Sequence, residues 1–414
     1  MSQASSALNK SSIMNIKNLG AERSEDALLR QPQLGHPLAA FLSLGFGGFF
    51  IGTGEFVSMS LLPALAQSTQ ISVPAAGSYI SAYALGVVVG APVLAVIAAK
   101  WPQRLLLIVL MALFVLGYLA SVFASGYSSL LLARFIAGFP HGAYYGVACL
   151  VAASLVAPEK KAQATGYVMV GLAAANVAGV PLATWIGQLA SWKATFAVLA
   201  GGGVVTMLLL WRSLPCSSGD PDATVAQELG ALKNLQVWLT LLTAALGFGG
   251  MFAVYSYITP TLTQVSGFTL PQVPWVLSLW GLGMVVGNFV GGWLADRGLN
   301  RAIFLIMAWN IVCLAAFAMC AANKTATLII LFLLGGGFAL VPALQVRLME
   351  VAGKAQTLAA SLNHSAFNAS NALGASLGGW SVAAGYGWAS TGWVACVLAC
   401  LGVGMMLLCV WSRR

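Results

Sequence analysis

Long apolar stretches alternate with short polar loops along most of this chain, and these stretches define its predicted elements. Each of twelve stretches is about 20 residues or longer, enough for a helix to cross the roughly 30 Å of hydrocarbon in a bilayer. Lipid offers no partner to an open backbone, so the stretches predict α-helices rather than strands. The predicted helices lie near 40–65, 75–99, 104–125, 128–155, 164–190, 193–212, 236–259, 272–295, 302–322, 325–348, 357–383 and 389–411.

One short pattern occurs twice, with the two copies 197 residues apart. Residues 85–90 read Leu-Gly-Val-Val-Val-Gly and residues 282–287 read Leu-Gly-Met-Val-Val-Gly. In each copy the second glycine is followed, at the same two spacings, by two basic residues. Because carriers of small molecules are commonly built from internal repeats, an apolar helical chain with two related parts indicates a transporter. The residues that carry the pattern are Gly90, Lys100 and Arg104, and Gly287, Arg297 and Arg301.

The repeat and the polar segments divide the chain into four predicted parts. Residues 1–37 are polar and Ser-rich and lack the apolar core of a signal peptide, so we expect a disordered cytoplasmic tail. Residues 38–212 and 236–414 are predicted to form two six-helix halves. Residues 213–235 contain Pro, Gly and Ser and are predicted to be the cytoplasmic linker between them.

Composition supports a membrane location. Hydrophobic residues make up 59% of the chain and charged residues only 7%, against about 25% charged residues in an ordinary soluble domain. The net charge of +9 comes from basic residues spread over short loops, so no patch suited to nucleic acid forms. With the N-terminus in the cytoplasm, 16 of the 19 Lys and Arg residues fall on the cytoplasmic side, which predicts that both termini are cytoplasmic.

Several other function classes are excluded by missing motifs. No phosphate-binding G-x-x-x-x-G-K-[ST] segment occurs, which argues against transport driven by ATP hydrolysis in this chain. The seven Cys residues have no paired spacing, so neither a disulfide framework nor a zinc site is expected. With three His residues and one carboxyl deep in a predicted helix, an enzyme is not expected. We therefore predict no cofactor and no metal.

Glu55 is the acidic residue that stands apart from the other nine, which lie in tails, loops or helix ends. It occurs in Gly-Thr-Gly-Glu-Phe, well inside the first predicted helix. An ionisable side chain at membrane depth is costly and by default marks a functional site. We predict that Glu55 carries protons. The alternative is a structural carboxyl that is hydrogen-bonded to a neighbouring helix.

Arg134 is the basic counterpart of Glu55, near the start of the fourth helix. A guanidinium in lipid must pair or reach water, and we predict that Arg134 takes part in proton coupling. Arg134, Gly138, His141 and Tyr145 share one helical face. His141 could change charge near neutral pH, which predicts a part in substrate or proton handling. The alternative for His141 is a buried side chain bonded to a backbone carbonyl.

The eleventh predicted helix is unusually polar. His364, Asn368 and Asn371 follow helical spacing and form one stripe that lipid would not tolerate. Amides and an imidazole facing the bundle interior suit a substrate with hydroxyls or other hydrogen-bonding groups. The alternative is interhelical hydrogen bonding that stabilises the bundle. Other candidate substrate-binding residues are Asn176 in the fifth helix, Tyr255 in the seventh (with Tyr257 nearby), Gln345 in the tenth and Asn363 in the eleventh.

These residues resemble motifs of the major facilitator superfamily, and within it the drug:proton antiporter branch. Gly287, Asp296, Arg297 and Arg301 are similar to that family's loop motif between helices 2 and 3. The first copy departs from the motif, because Ala99 stands where the family has an aspartate. In the family this aspartate belongs to a charged latch that favours the outward-open state. The resemblance implies that the latch here is altered or depends on Asp296.

Further motifs extend the resemblance over residues 38–411. Arg134, Gly138 and Gly142 fit the fourth-helix pattern R-x-x-x-G-x-x-x-G, whose Arg is tied to proton coupling in the family. Gly179 and Pro181 end a stretch similar to the fifth-helix antiporter motif, which is usually linked to export. Residues 54–59, 140–143 and 362–368 resemble bacterial arabinose- and sugar-efflux permeases.

The predicted fold is therefore all-α and integral to the membrane, with twelve transmembrane helices in two pseudo-symmetric six-helix halves. The predicted function is proton-coupled export of small polar or amphipathic compounds, such as sugars or drug-like molecules, by alternating access. The expected partners are substrate, protons and the lipid of a bacterial inner membrane, and the resemblance implies a monomer. Two alternatives stay open: an uncoupled facilitator or uptake carrier, and a receptor or scaffold that does not transport.

Overall fold

Helices account for the regular secondary structure of this protein in the part of the chain that the structure describes. A computed structural model describes residues 38–97, 101–157, 161–216, 230–352 and 356–412, and these contain no strand. The predicted tail at 1–37, Lys100 and most of the predicted linker at 213–235 lie outside the described residues. Residues 38–414 form one compact unit, so the boundary between two halves stays a prediction.

The first set of spans follows the predicted order. The spans are α1, α3, α4, the pair α5 and α6, the pair α7 and α8, and α9, while α2 is a short helix between the first two. A π-helical turn at Ala175–Gly179 joins α7 to α8. The helices are α1 (Leu38–Ser60), α2 (Leu62–Ser68), α3 (Val73–Ile97), α4 (Gln103–Phe123), α5 (Tyr127–Gly138), α6 (His141–Ser154), α7 (Lys161–Ala174), α8 (Val180–Leu189) and α9 (Trp192–Ser213).

The second set also gives six spans. α10 and α11 form the seventh span, α13 forms the eighth and ninth, and α14 and α15 form the tenth. Gly298 leaves helical geometry within α13 and separates the eighth span from the ninth. The helices are α10 (Leu235–Gly247), α11 (Gly249–Ser256), α12 (Ile258–Gln264), α13 (Val273–Cys320), α14 (Lys324–Gly336), α15 (Leu340–Ala352), α16 (Gln356–Ser381) and α17 (Ser390–Trp411).

Eleven spans in the described residues are long and apolar enough to cross a membrane. The remaining predicted span corresponds to α16, which has 26 residues but falls outside that group. Its Asn, His and Ser side chains lower its hydropathy, and most of them are buried against other helices. A polar helix is tolerated at this position because protein rather than lipid surrounds its polar face.

The repeated glycines hold corresponding helices in close contact. A Cβ atom on Gly90 would lie 2.0 Å from the carbonyl oxygen of Phe139, and one on Gly287 would lie 2.3 Å from that of Gly336. Gly336 follows Phe139 by the 197 residues that separate the two sequence copies. The repeat is therefore a repeat of backbone contacts, in which small residues let helices approach closely. Two more pairs of contacts follow the same spacing. The contact of Gly86 with Phe135 corresponds to that of Gly283 with Phe332. The contact of Gly138 with Tyr83 corresponds to that of Gly335 with Trp280.

Hydrogen bonds join the two sets of spans at the end of the bundle where α1 ends. Thr259 donates to the Ser60 carbonyl at 2.7 Å, and Gln188 donates to the Leu270 carbonyl at 3.0 Å. The Tyr257 hydroxyl lies 3.3 Å from the Pro74 carbonyl of α3 and 2.7 Å from the Ala375 carbonyl of α16. Tyr257 thus bridges the two sets.

The Tyr257 phenol fits between α3 and α16 because both helices carry glycine beside it. A Cβ atom on Gly77 would lie 2.1 Å from the Tyr257 hydroxyl oxygen, and one on Gly379 would lie 2.3 Å from it. The phenol therefore occupies space that any larger residue at these positions would fill. This placement differs from the expectation that Tyr257 adds to the wall of the substrate site.

We expect Gly287→Ala to destabilise the protein by about 1–3 kcal/mol, because its Cβ would overlap the Gly336 carbonyl and force α13 and α14 apart. Gly292→Ala in the same helix is the matched control, since nothing lies within 4 Å of its added Cβ. The measurement is the thermal unfolding midpoint in detergent. Equal midpoints for the two variants would contradict the close-contact interpretation.

Candidate functional site

Glu55 and His141 form the centre of the candidate site. Glu55 lies in α1 with 6% of its surface exposed, and His141 begins α6 with 2% exposed. The Oε2 atom of Glu55 lies 3.8 Å from the Nε2 atom of His141, which is within ion-pair range but longer than a hydrogen bond. Within the described ranges no other acidic and basic side chains lie within 4.0 Å of each other.

The break in the fourth span explains the position of His141. α5 ends at Gly138 and α6 begins at His141, with Pro140 between them. Proline has no backbone N–H and clashes with the preceding turn, so a continuous helix is unfavourable there. The imidazole is therefore presented at the first residue of a new helix, opposite α1, and its part in substrate or proton handling stays a prediction.

Arg134 is enclosed by aromatic rings rather than paired with a carboxylate. Its guanidinium carbon lies 4.5 Å from the ring centroid of Tyr83, 5.6 Å from that of Tyr118 and 5.4 Å from that of Phe196. It donates to the Tyr118 hydroxyl at 3.2 Å and to the Gly54 carbonyl at 3.5 Å. Ring faces are electron-rich and stabilise a desolvated cation, so Arg134 can stay charged beside α1 without contacting Glu55 directly.

Tyr83 connects the arginine to the histidine. Its ring faces the guanidinium of Arg134, while its hydroxyl oxygen lies 3.0 Å from the Nδ1 atom of His141. Sequence reasoning missed Tyr83, Tyr118 and Phe196, because aromatic residues in an apolar helix give no signal of which neighbour they face. The position of Tyr83 three residues before the repeated Gly86 is the one hint that the sequence offers.

A stack of rings continues from the site to α16. The His141 ring lies 5.2 Å from the Tyr145 ring, and the Tyr145 ring lies parallel to that of His364 with 5.3 Å between centroids. His364 belongs to the predicted polar stripe of the eleventh span. The structure therefore brings together His141 and His364, which are 223 residues apart in the sequence.

Unpaired amides lie next to this stack. Asn371 interacts with the Glu55 carboxyl, yet neither its amide nitrogen nor its amide oxygen has a partner at hydrogen-bond geometry. Asn368 uses its nitrogen to reach the His364 carbonyl at 3.1 Å and leaves its oxygen unpaired. Asn176, in the π-helical turn, bonds the Leu172 carbonyl at 2.9 Å and also leaves its oxygen unpaired. Buried polar groups without partners are costly, so these amides are suited to a ligand or to water.

Three other predicted binding residues already have partners. The Asn363 amide nitrogen donates to the Gln345 side-chain oxygen, so these two residues link α15 to α16. Tyr255 lies beside Glu55 and packs edge-on against Phe56 with ring centroids 5.6 Å apart. The paired amides fit the structural alternative better than the substrate role.

The predicted motif residues in the first set of spans pack between helices. A Cβ atom on Gly138 would lie 2.0 Å from the Tyr83 carbonyl, and one on Gly179 would lie 2.1 Å from the Thr53 hydroxyl oxygen. A Cβ atom on Gly142 would lie 2.8 Å from that of Ala91. Pro181 lies in the first turn of α8, next to the π-helical turn. These residues set the distances between α1, α3 and their neighbours.

The predicted basic residues of the two loop motifs contact the helices around them. Arg104 donates to the Trp211 carbonyl and to the Cys216 sulfur at 3.0 Å, so it fixes the end of α9. The guanidinium of Arg297 stacks on Trp293 at 3.7 Å from the ring centroid. Arg297 and Arg301 line a cavity of about 260 Å³ together with Glu350. The side chain of Asp296 lies outside the described residues, so the latch is not tested.

Arg347 is buried, although its sequence position suggested a cytoplasmic loop. It lies in α15 with none of its surface exposed and donates to the Asn300 side-chain oxygen. It also donates to the Cys409 sulfur at 3.0 Å. These contacts engage two of the guanidinium nitrogens, while the buried Nε atom has no hydrogen-bond partner.

Comparison with known proteins identifies several relatives. The profile of the family described as Major Facilitator Superfamily matches residues 44–356 and, in a second match, 267–414. The inner membrane transport protein YdhP of Escherichia coli (strain K12) is 40% identical over 383 residues, which cover 92% of this chain and 97% of YdhP. A chloramphenicol resistance protein of Streptomyces lividans is 31% identical over 331 residues, covering 78% of this chain and 84% of that protein.

A second set of likenesses concerns sugars. A probable sugar efflux transporter of Helicobacter pylori is 30% identical over 332 residues, covering 80% of this chain and 85% of that protein. Among solved structures, a D-xylose–proton symporter has a TM-score of 0.71 at 16% identity, covering 91% of this chain and 97% of the symporter. At that identity the structural likeness shows the fold alone.

We expect Asn371→Leu to raise the thermal stability of the ligand-free protein, because it removes two unpaired buried polar atoms that cost about 1–3 kcal/mol. Asn363→Leu is the matched control and should lower stability, since it leaves the Gln345 oxygen without its donor. The measurement is the thermal unfolding midpoint of each variant in detergent. Destabilisation of similar size in both variants would show that the Asn371 amide is structurally paired.

Proposed function

This chain belongs to the major facilitator superfamily and is a membrane transporter, not an enzyme, and from that premise we propose that it is a proton-coupled antiporter that exports small polar or amphipathic compounds. The observation that carries the proposal is the buried Glu55–His141 pair beside the unpaired amides of Asn371 and Asn368. A proton carrier and a hydrogen-bonding surface without partners lie side by side, on helices from both sets of spans.

The proximity of Asn371 to Glu55 supplies a coupling mechanism. An ionised Glu55 can accept a hydrogen bond from the substrate itself, whereas protonation removes the charge and occupies one of the acceptor sites of the carboxyl. A substrate that binds Asn371 and donates to the carboxylate would therefore compete with the proton for Glu55. Substrate binding and proton binding oppose each other at one residue, which is the requirement for exchange of the two.

Arg134 contributes to coupling through its charge. It approaches α1 at the Gly54 carbonyl, next to Glu55, and the two side chains interact electrostatically. Arg134 is therefore the fixed positive charge in whose field Glu55 takes up and releases its proton.

The lining of the site suggests the class of substrate. Its unpaired groups are amides and hydroxyls, and an aromatic cluster adjoins them: Phe56 stacks on Phe252 at 6.2 Å between centroids and contacts Phe338 at 6.5 Å. Neutral compounds with hydroxyl or amide groups and an apolar face fit such a surface. Two relatives are named for sugar efflux and for chloramphenicol resistance. Such compounds are small neutral molecules with hydrogen-bonding groups, and we propose the same class of substrate for this chain.

The proposed setting is a bacterial inner membrane, with both termini cytoplasmic and the protein acting as a monomer. In this orientation α1 ends on the outer side, so the Tyr257 bridge closes the outer end of the site. Export by alternating access requires that this end opens. The hydrogen bonds of Thr259, Gln188, Tyr257 and Ser81 are polar contacts that must break.

We expect Tyr257→Phe to open the outer end more often, by roughly fivefold, because one hydrogen bond across the interface is worth about 1 kcal/mol. Ser81→Cys provides the probe, since Ser81 faces Ser376 across the same interface. The measurement is the labelling rate by a membrane-impermeant maleimide in a background that lacks Cys216 and Cys400. Tyr127→Phe is the control, because its phenol bonds Ser78 within one set of spans. Equal rates would contradict a role for Tyr257 in closing this end.

We expect Glu55→Gln to abolish proton-driven export and to retain exchange of substrate down its own gradient, because glutamine binds hydrogen-bond partners but carries no proton. The measurement uses purified protein in liposomes with a trapped pH-sensitive dye and added sugars or chloramphenicol. Glu350→Gln is the control, as that carboxyl is exposed.

Each result of this experiment favours one function. Substrate-triggered proton movement that disappears in Glu55→Gln supports the antiporter. Flux of the same compounds without proton movement would replace it with a facilitator, in which Glu55 binds substrate alone. Binding without flux would identify a receptor on a transporter fold.

A further inference from the structure

We infer that Tyr83 is the positioning residue of the proton site. Its hydroxyl determines whether the His141 nitrogen that faces Glu55 carries a hydrogen or a lone pair. This inference rests on the proposed proton coupling, to which it adds a residue with no acidic or basic function of its own near neutral pH. Two contacts made by one side chain carry it: the hydroxyl with the Nδ1 atom of His141 at 3.0 Å, and the ring face with the Arg134 guanidinium at 4.5 Å.

The hydroxyl contact determines the tautomer of the imidazole. A neutral imidazole carries its proton on one nitrogen and a lone pair on the other. When Tyr83 donates to Nδ1, the proton is on Nε2, the nitrogen that faces the Glu55 carboxylate. When Tyr83 accepts from Nδ1, Nε2 has the lone pair and can accept from a protonated Glu55. A phenol can serve in both arrangements because it is a donor and an acceptor.

The two arrangements differ by one proton, and the atoms balance. In the first, Glu55 is ionised, Nε2 carries hydrogen and the Tyr83 O–H donates to Nδ1. In the change to the second, one proton from water is added at Nδ1 and the Nε2 hydrogen passes to Glu55, so Glu55 becomes a carboxylic acid and the imidazole is neutral again with its hydrogen on Nδ1. The imidazole is neutral in both, so no second charge is buried when Glu55 changes state.

The ring contact keeps the Arg134 guanidinium apart from His141, while its charge still acts on Glu55. Tyr83 contacts both groups, so the positive charge interacts with the ring face instead of reaching His141. No hydrogen bond joins Arg134 to His141 in the described residues. Tyr83 thus holds the imidazole without bringing it against the buried cation.

The other groups around the pair do not duplicate the Tyr83 hydroxyl. Tyr118 accepts from Arg134, and Tyr145 donates to the Gly48 carbonyl at 2.6 Å. His364 meets His141 through ring contact, at 6.2 Å between centroids. The titratable and charged groups that face Glu55 or His141 are Tyr83 of α3, Tyr118 of α4, Arg134 of α5, Tyr145 of α6, Tyr255 of α11 and His364 of α16.

The repeat shows that packing alone does not require this tyrosine. The position 197 residues after Tyr83 is Trp280, and the position equivalent to Arg134 is Leu331. Trp280 makes the same backbone contact, with Gly335, that Tyr83 makes with Gly138. The phenol is therefore present in the half that has Glu55 and Arg134, and a residue without a hydroxyl fills the same place in the other half.

The test compares Tyr83→Phe with Tyr79→Phe. The first variant keeps the ring over Arg134 and removes the hydroxyl. The second removes a buried phenol from the same helix, one turn away, whose hydroxyl bonds Thr69 at 2.9 Å. The direct readout is the ¹⁵N spectrum of histidine-labelled protein, which has only three His residues and is assigned with His141→Gln. The functional readout is the pH profile and the KM and kcat of export in liposomes.

For wild type and Tyr79→Phe we expect one His141 tautomer above the pH at which Glu55 takes up its proton and the other tautomer below it. For Tyr83→Phe we expect mixed tautomers at both pH values, and a kcat for proton-driven export lowered about tenfold, the equivalent of one lost hydrogen bond. Its substrate KM should stay unchanged, because Tyr83 does not belong to the unpaired amide surface.

Identical tautomer populations in wild type and Tyr83→Phe would overturn the inference, whatever the transport result. Equal losses of kcat in Tyr83→Phe and Tyr79→Phe would also overturn it, since they indicate a general packing effect. If wild-type flux shows no proton movement, the proposed function fails, and the spectrum still decides whether Tyr83 sets the imidazole.

Discussion

A charge surrounded by hydrocarbon is so unfavourable that Glu55 and Arg134 can lie at this depth only when protein encloses both of them. The structure meets this constraint in two ways. The guanidinium lies among the ring faces of Tyr83, Tyr118 and Phe196, and the carboxyl lies against His141 and Asn371. Because the groups that cover Glu55 come from α6 and α16, covering the charge also joins distant parts of the chain.

The close packing that makes this enclosure possible is repeated, whereas the chemistry is not. Glycines at equivalent positions bring α3 against α5 and the eighth span against α14 through the same backbone contacts. The deep charged residues Glu55 and Arg134 lie in the first set of spans, and the positions 197 residues later hold Phe252 and Leu331. The second set of spans contributes amides and aromatic rings instead. This division suits a carrier in which one half binds the proton and the other half supplies the substrate-binding surface. Relative motion of the halves would then change the proton site and the substrate site together.

Sequence reasoning identified the helices, and it selected polar residues whose roles stay predictions. Glu55, Arg134, His141 and the stripe of α16 were chosen because polar side chains are rare in an apolar chain, and of these Glu55, Arg134, His141, Asn368 and Asn371 are buried. The sequence did not indicate the partner of each polar group. Gln345 and Asn363, which are predicted to bind substrate, pair with each other. The buried Arg347 has Asn300 and Cys409 as its partners.

The sequence by itself determined the helical spans, the repeat and the rarity of deep charges. Hydropathy and spacing are local properties of the chain, and the bilayer constrains them in each span separately. Tertiary structure alone decided what each buried group faces. Tyr83 looks like any aromatic residue of an apolar helix until the rotation of α3 places its hydroxyl on His141 and its ring on Arg134. Tyr257 likewise gains its role only when α3 and α16 meet on either side of it. Helix rotation and partner choice depend on the packing of all spans together, and no local pattern encodes them.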